Sequence, residues 1–196
     1  MTNTSHIPIK SKWLLSCVLL LLVTVAGISK EQEEEFFVKA IFIKKFTNFI
    51  QWPESSDIAD TSKPFIIKVI GKNPFGNFLN IVYSQQTIKN KKVHIEYITT
   101  IAEIPGCHIL FISSSWANRL QLILAVTRNN PILTIGDTQG FANLGVMINF
   151  IYVDKKLRFE INESAFKEGM LLPTSMLLRA ALIIIKAPPQ QEHEKR

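Results

Sequence analysis

Cys107 and His108 are the residue pair with the most reactive side chains in this sequence, a thiol beside an imidazole. Such a pair can form a nucleophilic dyad or bind a metal ion. His108 opens the apolar run HILFI, which is typical of a strand, and adjacent strand residues point to opposite faces. The remaining candidate histidines, His94 and His193, add no third ligand at a recognisable spacing. The pattern therefore predicts neither a dyad nor a metal site.

Three predicted strands end in short polar segments that could hold a small ligand. In open α/β sheets, ligands bind beyond the carboxyl ends of the strands. The serines precede a predicted helix, whose free N–H groups could bind an anion, but serine is also an ordinary helix N-cap. Both interpretations stay open for this candidate crevice, which comprises Lys72, Asn73, Ser113, Ser114, Ser115 and Asp137.

Large apolar side chains cluster near the C-terminal end of the chain. Leu171, Leu172, Pro173 and Met176 surround the start of a predicted helix. A patch of this kind marks a protein interface when it is exposed and belongs to the core when it is not. These four residues are therefore the candidate partner contacts, with core packing as the alternative.

Recognised catalytic and cofactor motifs are absent from the sequence. The chain contains no Gly-x-Ser-x-Gly, no Gly-x-x-x-x-Gly-Lys, no His-Glu-x-x-His and no Gly-x-Gly-x-x-Gly. We therefore expect a protein that is not an enzyme and that uses no cofactor.

The N-terminal segment has the three parts of a secretory signal peptide. Lys10 and Lys12 precede an apolar run at 13–26, and small residues follow. A run of about 14 to 16 residues is shorter than the roughly 20 that span a bilayer, which favours cleavage over anchoring. The sequence thus predicts a signal peptide at 1–29 and a periplasmic location, with cleavage near Ala26-Gly27 or near Ser29.

Export leaves Cys107 as the single cysteine of the mature chain, because Cys17 lies within the predicted signal peptide. No disulfide can then form within one chain. An exposed Cys107 would be a redox-sensitive thiol or would form an intermolecular bridge. A buried Cys107 would act as a small hydrophobic residue.

Composition and charge indicate one ordinary globular domain. The chain has 196 residues, of which 47% are hydrophobic and 19% charged. Its formal charge of +6 falls to +4 once Lys10 and Lys12 are set aside, which is weak evidence for a nucleic-acid partner, and we expect none. The predicted domain covers 30–186, and a polar, flexible tail follows at 187–196.

Alternating strand and helix patterns predict a largely parallel sheet. An apolar helical spacing runs from the acidic start at 31–35 through Ile50 and ends at Pro53. Predicted strands follow at 64–70, 92–98, 108–112 and 131–135, with predicted helices at 74–83 and 115–128. Crossover helices cover both faces of such a sheet. The fold class is therefore an α/β, three-layer single domain.

The alternation of strand and helix patterns ends at residues 146–161, where the sequence predicts a C-terminal antiparallel β-hairpin. A turn at Asp154-Lys155 pairs Tyr152 with Leu157, Phe150 with Phe159 and Ile148 with Ile161 on one apolar face. The opposite face pairs Asn149 with Glu160 and Ile151 with Arg158, and we expect water to reach it. A short helix capped by Asn162 follows, and then an apolar helix of about 13 residues that begins at Pro173.

Six motifs, in this order, carry a resemblance that extends from about residue 38 to residue 181. The motifs are Phe42-x-x-x-Phe46-x-x-Phe49-x-x-Trp52-Pro53, Gly71-x-x-x-Phe75-Gly76, Gly106-Cys107-His108-Ile109-Leu110-Phe111-Ile112, Leu133-Thr134-Ile135-Gly136-Asp137-x-x-Gly140-Phe141, Gly145-x-Met147-Ile148-Asn149-Phe150 and Leu157-Arg158-Phe159-Glu160-Ile161-Asn162. With these motifs the sequence resembles the YfiR-like family of exported bacterial proteins.

The resemblance implies a periplasmic regulator that restrains an inner-membrane diguanylate cyclase by binding its periplasmic sensor region. It further implies that an outer-membrane lipoprotein is a third component and that the chain can form a homodimer. A histidine kinase is the other enzyme that such a protein can regulate. The family is associated with disulfide switches, and Cys107 matches one such cysteine position, but positions 140–150 contain none. A small-ligand-binding accessory protein is the alternative function. An exported enzyme is a third, and it would need a pocket with strongly perturbed titratable groups.

Overall fold

The apolar runs of the sequence form the centre of an eight-stranded, mostly parallel sheet. The computed structural model describes residues 33–186, so the predicted signal peptide at 1–29 and the predicted tail at 187–196 lie outside the described residues. The strands are β1 Ile50–Gln51, β2 Phe65–Ile70, β3 Thr87–Ile88, β4 Lys91–Ile98, β5 Ile109–Ile112, β6 Leu133–Gly136, β7 Ile148–Val153, β8 Lys156–Asn162, β9 Leu172–Pro173 and β10 Ile183–Ile185.

The strand order of the main sheet is β10-β8-β7-β6-β5-β2-β4-β3. Parallel pairing joins β4, β2, β5, β6 and β7, and β10 also runs parallel to β8. The β3–β4 and β7–β8 pairs are antiparallel. The chain order reverses between β2 and β5, which makes their carboxyl ends the topological switch point of the sheet.

Helices cover both faces of this sheet, which confirms the predicted three-layer α/β fold. The helices are α1 at 33–47, α2 Phe78–Tyr83, α3 Leu120–Thr127, α4 Phe141–Leu144, α5 Glu163–Glu168 and α6 Ser175–Ala180. One apolar cluster joins α1, α2, α5 and α6 to the sheet, and a second joins α3 and α4 to the opposite face. In the part of the chain that the structure describes, no helix has the length and apolar character needed to cross a membrane.

The predicted hairpin is confirmed with its register. Tyr152 pairs with Leu157, Phe150 with Phe159 and Ile148 with Ile161. Asp154 and Lys155 both have positive φ, 50° and 58°, which is the type I′ geometry that matches the twist of two antiparallel strands.

The second face of the hairpin is not uniformly wet, contrary to the sequence prediction. Asn149 is completely buried and Glu160 is 8% exposed, whereas Arg158 is exposed. The Asn149 amide Nδ2 donates to Glu160 Oε2 at 3.1 Å and to the Thr138 carbonyl at 3.0 Å. Position along the hairpin decides the difference, because the end near Asn149 lies inside the sheet while the turn projects into solvent.

The predicted long C-terminal helix is wrong in its second half. Helix α6 begins after Thr174, whose Oγ1 accepts from the Leu177 N–H, and ends at Ala180. Three consecutive isoleucines then form β10, which lies along β8. Isoleucine is β-branched and packs well on a strand, so a free sheet edge overrides the helical spacing of the apolar residues.

The first helix also ends earlier than its apolar spacing predicts. Helix α1 stops at residue 47, and Ile50 and Gln51 form β1 instead of a last helical turn. Strand β1 pairs antiparallel with β9, with Ile50 opposite Pro173. Ile50 is 1% exposed, so the strand buries the same side chain that a longer helix would have buried.

Candidate functional site

An exposed apolar surface lies at the C-terminal end of the described chain, where the sequence predicts partner contacts. Leu172 is 63% exposed and Met176 is 56% exposed. Met170, Leu182, Ile183 and Ile184 are also exposed apolar residues near the end of the described chain. We define the C-terminal apolar surface as the exposed side chains of Leu172 and Met176.

Backbone hydrogen bonds hold this surface in place. The Leu171 N–H donates to the Phe166 carbonyl at 3.0 Å, which turns the chain away from α5. Strand β9 then pairs with β1, and the Thr174 N–H donates to the Phe49 carbonyl at 2.8 Å. Leu172 is therefore exposed on a fixed strand, so presenting it to a partner costs little conformational entropy.

A groove of about 530 Å³ lies beside the exposed residues. Phe166 and Leu171 are buried, and both line the groove. Glu163 and Lys186 lie at the rim, with Nζ 3.6 Å from the carboxylate Oε2. An apolar lining with a charged rim is the arrangement that receives an apolar side chain from a partner protein.

The four predicted contact residues thus divide into two groups. Leu172 and Met176 are exposed, and Pro173 is half-buried in β9. Leu171 is completely buried and packs in the main apolar cluster. Leu171 therefore contributes a groove wall, while its neighbours face outward.

The candidate crevice at the carboxyl ends of β2 and β5 is brought together but filled by the chain itself. The Lys72 backbone N–H donates to Ser115 Oγ at 2.9 Å, and Ser115 Oγ lies 3.1 Å from Ser113 Oγ. The Trp116 ring packs against Gly71 so closely that a Cβ at position 71 would lie 2.4 Å from Trp116 Cδ1. Ser113 caps the 3₁₀ turn that follows it, and Ser114 begins that turn.

Asn73 and Asp137, the other crevice candidates, also have internal partners. Asn73 Oδ1 accepts from the Phe75 N–H and its Nδ2 donates to the Gly76 carbonyl. Asp137 Oδ2 accepts from Lys39 Nζ at 2.7 Å, and Lys39 is only 3% exposed. Sequence reasoning missed Lys39, whose sole signal was a cation within the apolar helical spacing of α1.

Cys107 is buried, with 6% of its surface exposed. Burial raises the pKa of the Cys107 thiol to about 12. Because the thiolate is the reactive form of cysteine, this thiol is inert near neutral pH. The structure therefore agrees with the small hydrophobic interpretation of Cys107.

His108 is buried and is held by a partly exposed polar cluster at the opposite end of the sheet from the crevice. Its Nδ1 accepts from the Ile66 N–H at 3.0 Å, so Nε2 carries the proton and donates to Asp57 Oδ1 at 2.7 Å. The fully buried Lys91 donates to the Asp57 and Asp60 carbonyls. Burial lowers the pKa of His108 in spite of the neighbouring Asp57 carboxylate. Neither ring nitrogen of His108 is left to act as a base or a ligand.

Within residues 33–186, no cluster of three or more His, Cys, Asp or Glu side chains could hold a metal ion. The polar side chains of the crevice and of the His108 cluster are hydrogen-bonded within the chain, whereas the C-terminal apolar surface and its groove are exposed and have a shape suited to a partner. An exposed apolar surface of this kind is typical of protein recognition.

Two solved structures show a distant likeness to this chain. The ABC domain in complex with L-Trp from Streptococcus pneumoniae is 8% identical, with a TM-score of 0.46 and coverage of 62% of this chain and 55% of that one. The 3-hydroxyacyl-CoA dehydrogenase from Archaeoglobus fulgidus is 14% identical, with a TM-score of 0.34 and coverage of 64% and 58%. The chain thus spans little more than half the length of these structures. No curated protein matches the sequence.

A family model gives the decisive comparison. The model described as YfiR/HmsC-like matches residues 37–182, which is nearly all of the described chain. The match includes most of α1, the main sheet up to the approach to β10, and the exposed residues Leu172 and Met176. The chain therefore belongs to the YfiR/HmsC-like family.

Proposed function

We propose that this protein is a non-enzymatic periplasmic regulator that binds the sensor region of an inner-membrane diguanylate cyclase and lowers cyclic di-GMP. Family membership supports a periplasmic regulator, and the C-terminal apolar surface supports a protein partner. The exposed pair Leu172 and Met176 beside the apolar groove carries the proposal, because such a surface gains free energy when a partner covers it.

Restraint of an enzyme by a bound regulator requires a difference in affinity. The regulator must bind the inhibited conformation of the sensor region more tightly than the active one, since equal affinity would shift no equilibrium. In this proposal an apolar side chain of the inhibited sensor region enters the groove over Phe166 and Leu171. Removal of the regulator, for example by an outer-membrane lipoprotein, then releases the cyclase.

The first test measures cellular cyclic di-GMP after deletion of the gene and after its restoration with the N-terminal segment intact. We expect deletion to raise cyclic di-GMP and restoration to lower it again. Unchanged cyclic di-GMP in both strains would contradict the cyclase assignment.

The contact surface is tested with a double variant and a matched control. Leu172→Glu with Met176→Glu places charges on the proposed contact and should weaken sensor-region binding at least about ten-fold, because apolar anchors dominate interface energies. Leu122→Glu changes a side chain of similar exposure, 58%, on α3 at the opposite face of the sheet.

We expect Leu122→Glu to restore low cyclic di-GMP and the double variant to fail, although both proteins accumulate and fold. Restoration by the double variant would place the contact elsewhere. Circular dichroism of the purified variants checks the fold.

A second candidate function is a small-ligand-binding accessory protein of a histidine kinase or another envelope sensory system. The groove volume of about 530 Å³ lies in the range of small-molecule sites, which favours this candidate. A ligand in the groove would raise the melting temperature by several degrees, since it binds only the folded state. Leu172→Glu should abolish that shift, and a shift that survives the substitution would place the ligand elsewhere.

A further inference from the structure

The hairpin of β7 and β8 projects beyond the rest of the main sheet. Strand β6 pairs with β7 only at Ile148 and Asn149, and β10 pairs with β8 only at residues 160–162. Residues 150–153 and their partners across the hairpin therefore have no neighbouring strand on either outer side among the described residues. Four strand residues extend the hairpin by about 13 Å. We define the hairpin tip as residues 152–158.

The base of this hairpin is fixed by aromatic packing, and its turn is ordered. The Phe46 ring of α1 lies 5.6 Å from the Phe150 ring and 4.9 Å from the Phe159 ring, measured between centroids. The positive φ angles at Asp154 and Lys155 close the turn without splaying the strands. Because the tip is held in one shape, placing it on another surface costs little conformational entropy.

Three cations crowd the hairpin tip without an ion pair. Lys155, Lys156 and Arg158 are exposed. The structure gives none of them a carboxylate partner among the described residues, and the Arg158 guanidinium donates to the Leu157 carbonyl at 3.2 Å. Asp154 is the one acidic residue of the tip, so three positive charges stand against one negative charge. The net positive charge therefore attracts an anionic surface.

An aromatic and an aliphatic side chain lie beside these cations. Tyr152 is 48% exposed and Val153 is 38% exposed. Tyrosine is enriched where lipid headgroups meet the hydrocarbon, because its ring is apolar and its hydroxyl is polar. Lysine and arginine are drawn to the headgroups of anionic lipids. The tip thus combines two classes of side chain that bind membrane surfaces.

The shape of the tip favours a lipid surface over an acidic protein. A protein interface centres on a pocket or groove that takes an anchor side chain from the partner. The groove beside Leu172 and the cleft beside β4 are lined by residues outside the tip. The tip itself is convex, a two-residue turn at the end of a projecting ribbon, and a layer of mobile headgroups can adapt to it. We propose that the hairpin tip binds the surface of a membrane that contains anionic phospholipids.

This contact sets the orientation of the molecule on the membrane. Strand β8 runs from Lys156 at the tip to Asn162, and the groove residue Glu163 begins α5 directly afterwards. Seven strand residues span about 23 Å. The tip then holds the groove at that distance from the bilayer, where it faces the sensor region of the cyclase. This last consequence rests on the proposed function, whereas the membrane contact does not.

Vesicle sedimentation tests the membrane contact. The probes are vesicles of phosphatidylglycerol and phosphatidylcholine in equal amounts and vesicles of phosphatidylcholine alone. We expect the mixed vesicles to bind the protein at least about ten-fold more tightly, because each cation near an anionic surface adds to the attraction. Salt at about 1 M should remove most of the difference, since the Debye length falls to about 3 Å. Equal binding to both kinds of vesicle at low salt would overturn the proposal.

Two charge-matched double variants assign the binding to the tip. Lys155→Gln with Lys156→Gln removes two of the three tip cations and should weaken binding to the mixed vesicles about ten-fold. Lys92→Gln with Lys167→Gln removes two exposed cations at the end of the sheet opposite the tip and should bind as the unchanged protein does. Every variant keeps the same N-terminal segment, so a difference between them reports the tip. An equal loss in both variants would show that overall charge carries the binding, and the proposal would be wrong.

A tryptophan at the tip reports direct contact with lipid. The fluorescence of Val153→Trp should be quenched by mixed vesicles whose phosphatidylglycerol carries brominated acyl chains, because aromatic side chains settle at the membrane interface. Leu122→Trp changes a side chain that is 58% exposed on α3 and should gain no such quenching. The native tryptophans are common to both variants. The same quenching in both would place the membrane contact elsewhere.

The membrane proposal and the cyclase proposal can fail separately. The Leu172→Glu and Met176→Glu variant should bind the mixed vesicles as the unchanged protein does. The Lys155→Gln and Lys156→Gln variant should likewise retain its affinity for the isolated sensor region. If this tip variant loses sensor-region binding while the unchanged protein shows no preference for phosphatidylglycerol, the tip contacts an acidic protein and the membrane proposal is wrong.

Discussion

At the residue scale, the chemically reactive side chains of this protein serve its structure. His108 stacks on the Phe65 ring with centroids 4.5 Å apart, and both its nitrogens are hydrogen-bonded inside the chain. Protonation of Nδ1 would remove the acceptor for the Ile66 N–H and would charge a buried ring. The folded state therefore binds this proton less readily than the unfolded state does.

The lowered pKa of His108 predicts that stability falls as the pH falls. In the unfolded chain the imidazole has a pKa near 6.5, so the unfolded state gains its proton first as the pH drops below about 6.5. The part of the folded-state stability that depends on neutral His108 is complete above that pH, and it is lost as the pH falls toward the lowered pKa of the folded state. Urea denaturation between pH 7.5 and pH 5 should show the loss.

The variant His108→Gln provides the control for this prediction. Glutamine retains an N–H for Asp57 and does not titrate, so the free energy of unfolding of this variant should depend less on pH over the same range. An unchanged pH dependence would assign the effect to another group.

At the element scale, short helices in this fold depend on their caps. Asn162 Oδ1 accepts from the Ala165 N–H at the start of α5, and Asn162 Nδ2 donates to the Ala142 carbonyl of α4 at 2.7 Å. Thr174 caps α6 with one long hydrogen bond of 3.4 Å. Asn162 thus joins two elements, whereas Thr174 serves one.

We expect Asn162→Ala to destabilise the protein by about 2 to 4 kcal/mol, the sum of a lost cap and an unpaired buried carbonyl. Thr174→Ala should cost about 1 kcal/mol, because it removes a cap alone. The free energies of unfolding from chemical denaturation check both values. Equal losses in the two variants would show that the Ala142 contact contributes nothing.

At the scale of the whole molecule, an ion pair joins the first helix to the carboxyl end of β6, a central strand of the sheet. Lys39 of α1 contacts Asp137, which follows β6, and also contacts Glu35 of its own helix. Lys39 Nζ lies 4.3 Å from the centroid of the Phe36 ring. Both side chains are largely shielded from water, so removal of one partner leaves a buried charge without an opposite charge beside it.

The variant Lys39→Met should therefore destabilise the protein by about 3 to 5 kcal/mol. Adding Asp137→Asn to it should recover part of that loss, because the remaining carboxylate is removed. Thermal and urea denaturation of Lys39→Met, of Asp137→Asn and of the double variant measure the coupling. If the loss of stability in the double variant equals the sum of the losses in the two single variants, the two side chains act independently.

Much of the sheet was predictable because its signals are local. Period-two alternation sets the hairpin register, so the pairs Phe150 with Phe159 and Ile148 with Ile161 follow from residues close in the chain. Continuous apolar runs indicate strands buried on both faces, which is the environment of β5 and β6. The family motifs depend on the same local residues, and the family assignment is confirmed.

The features that the sequence did not predict depend on contacts between residues far apart in the chain. Ile183–Ile185 form a strand because the edge of β8 is free beside them, and Ile50 leaves the first helix because β9 comes to lie opposite it. Asn149 is buried through a position in the sheet that its own neighbours do not encode. The exposure of Leu172 beside the buried Leu171 likewise depends on which surfaces the fold covers. Local periodicity specifies which face of an element is apolar, whereas burial depends on packing between elements that only the completed fold brings together.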